Sequence, residues 1–177
     1  NLFEGLVSPD PETTLPTAAI AERWEISGDG RVYTFHLRRT TWSNGEALTA
    51  ADFVHAWRRV VDPVMGSSYS HLMVPIKNAR EIVQKKADKE TLGVRAVDDQ
   101  TLEVTLNHRT PYFLQVLCLN IFFPVHRATL EKHGASWTEP GRMVGNGPFV
   151  LTERAVKVRK VFEKNGRYWG ADRVKLQ

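Results

Sequence analysis

Apolar and polar positions alternate with period two in Thr101-Leu102-Glu103-Val104-Thr105-Leu106, which puts Leu102, Val104 and Leu106 on one face of a strand. With Gly93-Val94-Arg95-Ala96-Val97 before it and Asp98-Asp99 between, this predicts a hairpin. Val32-Tyr33-Thr34-Phe35-His36-Leu37 is a second strand, rich in β-branched and aromatic residues. Trp24-Glu25-Ile26 opens its partner, and Gly28-Asp29-Gly30 makes the turn between them. Ser43-Asn44-Gly45-Glu46 is another reversal, because Asn-Gly tolerates positive φ. Phe149 to Thr152 and Val156 to Phe162 read as two further strands after the turn cluster Gly145-Asn146-Gly147-Pro148.

Helical spacing replaces alternation elsewhere. Phe53, Val54, Trp57 and Val60/Val61 share one face of a helix predicted from Ala50 to about Val61. Thr49 is its N-cap, its hydroxyl accepting from the Asp52 N–H, and Asp52 stands where a capping-box acid would and complements the helix dipole. Asp62-Pro63 ends it, since the residue before proline is pushed out of the α region. Weaker helical patterns run from Thr17 to Arg23, from Ile76 to Ala87 with Ile76, Ala79 and Val83 facing inward, from Pro111 to about Leu119, and from Arg127 to His133, closed by Gly134. Hairpins interspersed with helices, without a regular βαβ rhythm, predict an α+β or mixed α/β fold.

Composition changes little in this picture. The 177 residues are 42% hydrophobic, 25% charged and 10% aromatic, enough apolar content to build a core. No apolar run reaches the length of a membrane span; Phe113 to Val125 is interrupted by Gln115 and Asn120 and stopped by Pro124. The net charge of +4 is spread among acids rather than gathered into a stripe with interleaved aromatics, which argues against a nucleic-acid partner. Neither end reads as a natural terminus: Asn1-Leu2-Phe3-Glu4-Gly5-Leu6 lacks an initiating Met and an export signal, and Val174-Lys175-Leu176-Gln177 stops inside a strand-like run.

Candidate chemistry is sparse. The six histidines, His36, His55, His71, His108, His126 and His133, have no zinc-site spacing; His36 is expected opposite Phe35 and Leu37, and His55 toward solvent. The single Cys118 lies in an apolar run and reads as a small buried side chain. Gly145-Asn146-Gly147 lacks the Lys-Ser/Thr of a phosphate loop, and Ser67, Ser68 and Ser70 lack a nucleophile-elbow context. Asp98-Asp99 suits a turn, where Asp bonds its own backbone. Nothing assembles a nucleophile, a base and an oxyanion donor, so no enzyme and no cofactor or metal is expected.

The ordered passage Tyr33-Thr34-Phe35-His36-Leu37-Arg38, Trp42-Ser43-Asn44-Gly45, Leu48-Thr49-Ala50-Ala51-Asp52-Phe53-Val54, Trp57-Arg58-Arg59 and Val61-Asp62-Pro63 resembles extracellular solute-binding proteins of oligopeptide and dipeptide ABC importers. Asp98-Asp99-Gln100-Thr101-Leu102-Glu103-Val104, Pro111-Tyr112-Phe113, Trp137-Thr138, Asn146-Gly147 and Tyr168-Trp169 extend the resemblance along the chain, and the oligopeptide branch, which includes the murein-peptide binder, fits best. Asn44 replaces the Asp more usual before this Gly, a change the turn accommodates. The resemblance implies a two-lobed, periplasmic-binding-protein-like clamp that captures an oligopeptide and delivers it to an ABC permease in the membrane. The full-length protein would be monomeric and periplasmic, or lipid-anchored outside the cell membrane. Residues 1–147 would form its small bracing domain and residues 148–177 the first strands of an adjoining larger one. A ligand-sensing domain of a regulatory protein, built on the same fold, is the alternative. In the family a Tyr in the loop after Asp-Pro lies against the bound peptide, a position that falls on Tyr69, which could otherwise pack beneath the loop. Ser68, Ser70 and His71 join it as peptide-binding candidates by adjacency. Most of the site is expected outside this chain.

Overall fold

The computed structural model describes residues 2–176. In chain order its strands and helices are β1 (Val7–Pro9), β2 (Pro16–Ala18), β3 (Ala21–Ile26), β4 (Val32–Leu37), β5 (Thr40–Thr41), β6 (Ala47–Leu48), α1 (Ala50–Val61), α2 (Ala79–Val83), β7 (Val94–Asp98), β8 (Thr101–Thr105), α3 (Phe113–Leu117), α4 (Arg127–His133), β9 (Phe149–Ala155) and β10 (Arg159–Lys164). Two compact units emerge. One comprises Gly5–Arg38 and Thr49–Pro124; the other comprises Asn1–Glu4, Arg39–Leu48 and Val125–Gln177. The boundary expected between residues 147 and 148 falls inside the second of these.

The first unit is built on an antiparallel sheet of order β3-β4-β8-β7. Its register sets Phe35 opposite Leu102 and Tyr33 opposite Val104, so the alternating apolar positions of β4 and β8 meet on one buried face. Helix α1 packs over β7 and β8 with Phe53, Val54, Ala56, Trp57, Val60 and Val61 buried. Burying a large side chain such as Phe53 contributes about 1.5–3 kcal/mol, so this face accounts for much of the unit's stability. At the helix start the Asp52 carboxylate accepts from the Thr49 N–H at 2.8 Å, satisfying a donor that the first turn would otherwise leave open. Far along the chain, the Trp57 indole N–H donates to the Phe122 carbonyl at 2.9 Å, and the two rings meet edge to face. His36 does face away from Phe35 and Leu37 and pairs with Glu25 at 3.1 Å, whereas His55 is half-buried rather than turned to solvent.

Three helical expectations change. Residues 17–23 form no helix: β2 pairs with β1, the Ile20 and Ala21 N–H groups donate to Gly5 and Leu6 carbonyls, and Ala21 already belongs to β3. Local propensity toward helix is outweighed there by bonds to segments distant in sequence. The Ile76–Ala87 pattern shrinks to the five residues of α2, bracketed by positive φ at Asn78 and Lys85, and Ile82 rather than Val83 is buried with Ile76 and Ala79. The apolar segment after Pro111 is split into α3 and a 3₁₀ turn, Asn120–Phe122.

In the second unit, β5 and β6 form a ribbon whose turn places Gly45 at φ 92°, as the Asn-Gly pair requires. Helix α4 is capped by His126: its Nδ1 accepts from the Thr129 N–H at 3.2 Å, and its Nε2–H reaches Glu46 at 2.7 Å. Gly134 closes α4 at φ 53°. Strands β9 and β10 pair antiparallel with a bulge at Val161/Phe162. Asn146 exchanges two hydrogen bonds with the Glu4 backbone, while the Glu4 carboxylate accepts from Tyr168 and Trp169. The Asn-Gly and Tyr-Trp pairs that stand out in the sequence therefore serve packing. Asn1 and Gln177, read from the sequence as lying within longer elements, are outside the described residues, and residues 174–176 carry no regular structure.

Candidate functional site

The loop after α1 takes its shape from Asp62. As the last cap of the helix, its carboxylate accepts from the Val64 N–H at 2.9 Å and from Lys89 at 2.6 Å. The Lys89 ammonium, then the Val64 N–H, hold that carboxyl below the usual carboxylate range. Gly66, at φ 61°, reverses the chain, and a 3₁₀ turn, Ser70–Met73, returns it to the core through buried Met73.

Between these anchors Tyr69 is 62% exposed, which excludes the reading in which it packs beneath the loop. Its ring centroid lies 6.3 Å from that of His71 at an interplanar angle of 33°. The Ser68 carbonyl can only accept, so the His71 Nδ1–H donates to it at 3.1 Å, leaving Nε2 as the acceptor in the neutral ring. Ser68 is exposed, whereas Ser70 is half-buried and gives its N–H to the Ser67 carbonyl. Tyr69, His71 and Ser68 thus share one accessible surface, and Ser70 contributes to the turn beneath it. Val64, 94% exposed, and Met65 add apolar surface on the same loop. Neither belongs to a periodic pattern; their only signal in the sequence is two apolar residues stranded between Pro63 and Gly66. Such a loop offers an aromatic face, a phenol and an imidazole acceptor to a ligand lying against it.

Elsewhere, no group of three or more His, Cys, Asp or Glu side chains among the described residues could hold a metal ion. Cys118 is half-buried, and burial pushes its thiol up, away from the reactive thiolate. Asp98 bonds the Gln100 N–H in the β7–β8 turn, as its position predicts, and that bond lowers its carboxyl. No helix among the described residues is long and apolar enough to cross a membrane.

A family model described as bacterial extracellular solute-binding proteins, family 5 middle, matches residues 16–177. The probable deoxycholate-binding periplasmic protein YgiS of Escherichia coli is 46% identical over 180 residues, covering 100% of this chain and 34% of the relative. The periplasmic oligopeptide-binding protein OppA of the same organism is 42% identical over 172 residues, covering 96% of this chain and 31% of the relative. Among solved structures, Listeria monocytogenes OppA bound to peptide superposes with a TM-score of 0.95 at 40% identity, covering 99% of this chain and 35% of that one. The murein tripeptide-binding protein MppA of Escherichia coli gives the same TM-score and identity over 99% of this chain and 35% of its own. The chain spans about a third of the length of these relatives. With a match that runs from Pro16 to the end of the chain, and a fold shared with peptide-binding relatives at 40% identity, this chain belongs to the bacterial extracellular solute-binding proteins of family 5.

Proposed function

We propose that this chain is part of the substrate-binding component of an ABC importer, which captures oligopeptides outside the cell membrane and delivers them to a membrane permease. The observation that carries this is the likeness, over nearly the whole chain, to a solute-binding protein whose structure holds a peptide. The exposed Tyr69, with His71 and Ser68 beside it, supports a role as one wall of the clamp. Its ring would lie along the peptide, while backbone pairing from parts of the protein outside this chain supplies affinity without sequence choice. Water in the side-chain pockets would allow varied residues. Ser70 acts through the turn that holds Tyr69 outward. The protein would work as a monomer in the periplasm, or tethered by lipid outside the cell membrane. In it, residues 1–147 brace the binding lobes and residues 148–177 lead into an adjoining domain.

Isothermal titration of the intact protein with a mixed oligopeptide library tests the proposal: saturable heat is expected, and silence would sink it. A second reading follows from the 46% identity to a probable deoxycholate-binding protein, namely that a bile acid replaces peptide in the same clamp. Titration with deoxycholate in place of the library separates the two.

A further inference from the structure

The sequence contains three Asn-Gly pairs, Asn44-Gly45, Asn146-Gly147 and Asn165-Gly166. A side-chain amide followed by glycine can react with its own main chain, because no Cβ shields the next nitrogen. The fold treats the three pairs differently. Asn146 is 2% exposed and spends its amide on the Glu4 backbone, accepting from the N–H at 3.0 Å and donating to the carbonyl at 2.9 Å. Asn165 is 4% exposed, donating to the Gly147 carbonyl at 2.9 Å and accepting from the Arg167 N–H at 3.1 Å. Asn44 is exposed at the tip of the β5–β6 ribbon, and its amide nitrogen has no hydrogen-bond partner among the described residues.

That tip is held at its base and loose at its end. Trp42 is fully buried, and Ser43 is bonded twice to Gly145, its N–H donating to the carbonyl at 2.8 Å and its hydroxyl accepting from the N–H at 3.2 Å. Beyond them, the Asn44 Oδ1 accepts from the Glu46 N–H at 3.1 Å, which folds the side chain forward past Gly45. The Gly45 N–H donates to the Trp42 carbonyl at 2.9 Å, a bond that closes a ribbon of only two residues per strand. So short a ribbon opens locally at little cost, which releases the Gly45 nitrogen beside the Asn44 Cγ. The Glu46 carboxylate is engaged with His126 at 2.7 Å, so the proton leaves to solvent hydroxide rather than to a neighbouring base.

We infer that Asn44 is a self-modification site, which deamidates through attack of the Gly45 nitrogen on its Cγ. The nitrogen gives its proton to hydroxide, the new N–C bond closes a five-membered succinimide, and the side-chain amide leaves as ammonia. Water then adds to either ring carbonyl and opens it, to aspartate or to isoaspartate. One water is consumed and one ammonia released, with no change of oxidation state. The aspartate product keeps an acceptor for the Glu46 N–H, so the turn survives. The isoaspartate product adds a methylene to the main chain inside the turn, which disturbs the register of β5 with β6 and draws Glu46 away from His126.

Incubation of the intact protein at neutral and mildly alkaline pH, followed by proteolysis and mass spectrometry, tests this. Tryptic peptide 40–58 contains Asn44 and no other asparagine. It is expected to appear first as the ammonia-loss species and then as two acid isomers separable by chromatography, at a rate that rises with pH. Peptides carrying Asn146 and Asn165 should react at least about tenfold more slowly in the folded protein, because each must first break two hydrogen bonds in a buried site. In urea the three rates should converge. Asn44→Gln, which moves the amide one bond further out, should leave peptide 40–58 unchanged over the same period. An Asn44 that keeps its amide in the folded protein while the urea-treated chain reacts would overturn the inference. Asn146 and Asn165 reacting as fast as Asn44 in the folded state, or N44Q forming acid at the parent's rate, would overturn it equally.

Discussion

Replacing Trp57 by Phe separates the hydrogen bond in the core from the packing around it. Trp57 is fully buried and its indole N–H donates to the Phe122 carbonyl, 65 residues away, at 2.9 Å. Phe at this position leaves a void of about 40 Å³, worth about 1 kcal/mol at ~24 cal/mol per Å³. It also strands a buried carbonyl, which adds about 1–3 kcal/mol. The expected loss is thus about 2–4 kcal/mol. Trp42 provides the control within the same chain. It too is fully buried, but its indole N–H is enclosed with no hydrogen-bond partner among the described residues. Trp42→Phe removes an unsatisfied donor along with the same volume, so it should cost about 1 kcal/mol or less. Urea denaturation followed by far-UV circular dichroism, with a shared m value, gives both numbers. Equal losses for the two variants, or a larger loss at Trp42, would refute the argument that the Trp57–Phe122 bond matters beyond its packing.

Three further outcomes follow from the geometry. Asp62→Asn should keep the Val64 bond but lose the Lys89 pair, costing about 0.5 kcal/mol after solvent screening. Because the Asp62 carboxyl is lowered, that difference should be present at neutral pH and vanish as acid titration passes through the folded-state value; because the Lys89 ammonium is raised, it should also fade in strong alkali, and denaturation at several pH values reads both limits. Gly93→Ala would bring a Cβ within 2.6 Å of the Thr105 carbonyl oxygen and Gly145→Ala would drive one into the Leu2 carbonyl, so each should lower stability by about 1–3 kcal/mol, whereas Gly28→Ala meets nothing within 4 Å and should leave the melting midpoint almost unchanged. Tyr69→Ala should weaken peptide binding by the intact protein about tenfold while leaving its unfolding curve in place, since the ring is mostly exposed.

Sequence and structure agree where the determinants are local. Helix α1 was legible because a capping acid, an apolar face and Asp-Pro all lie within fifteen residues, and the β7–β8 hairpin because alternation and turn chemistry coincide. Residues 17–23 misled because Ala, Glu and Arg favour helix locally, while their hydrogen bonds go to Val7–Pro9, Gly5 and Leu6. The short α2 was hidden by Asn78 and Lys85, whose positive φ no periodicity announces. Tyr69 becomes a candidate only through the family resemblance, and its exposure depends on how Met73 anchors the returning chain.

Peptide capture is tested most directly by offering the intact protein both candidate ligands together. After incubation with an equal mixture of an oligopeptide library and deoxycholate, native mass spectrometry should show adducts with a spread of peptide masses. Adducts of deoxycholate mass alone, or bare protein under the same conditions, would contradict the assignment.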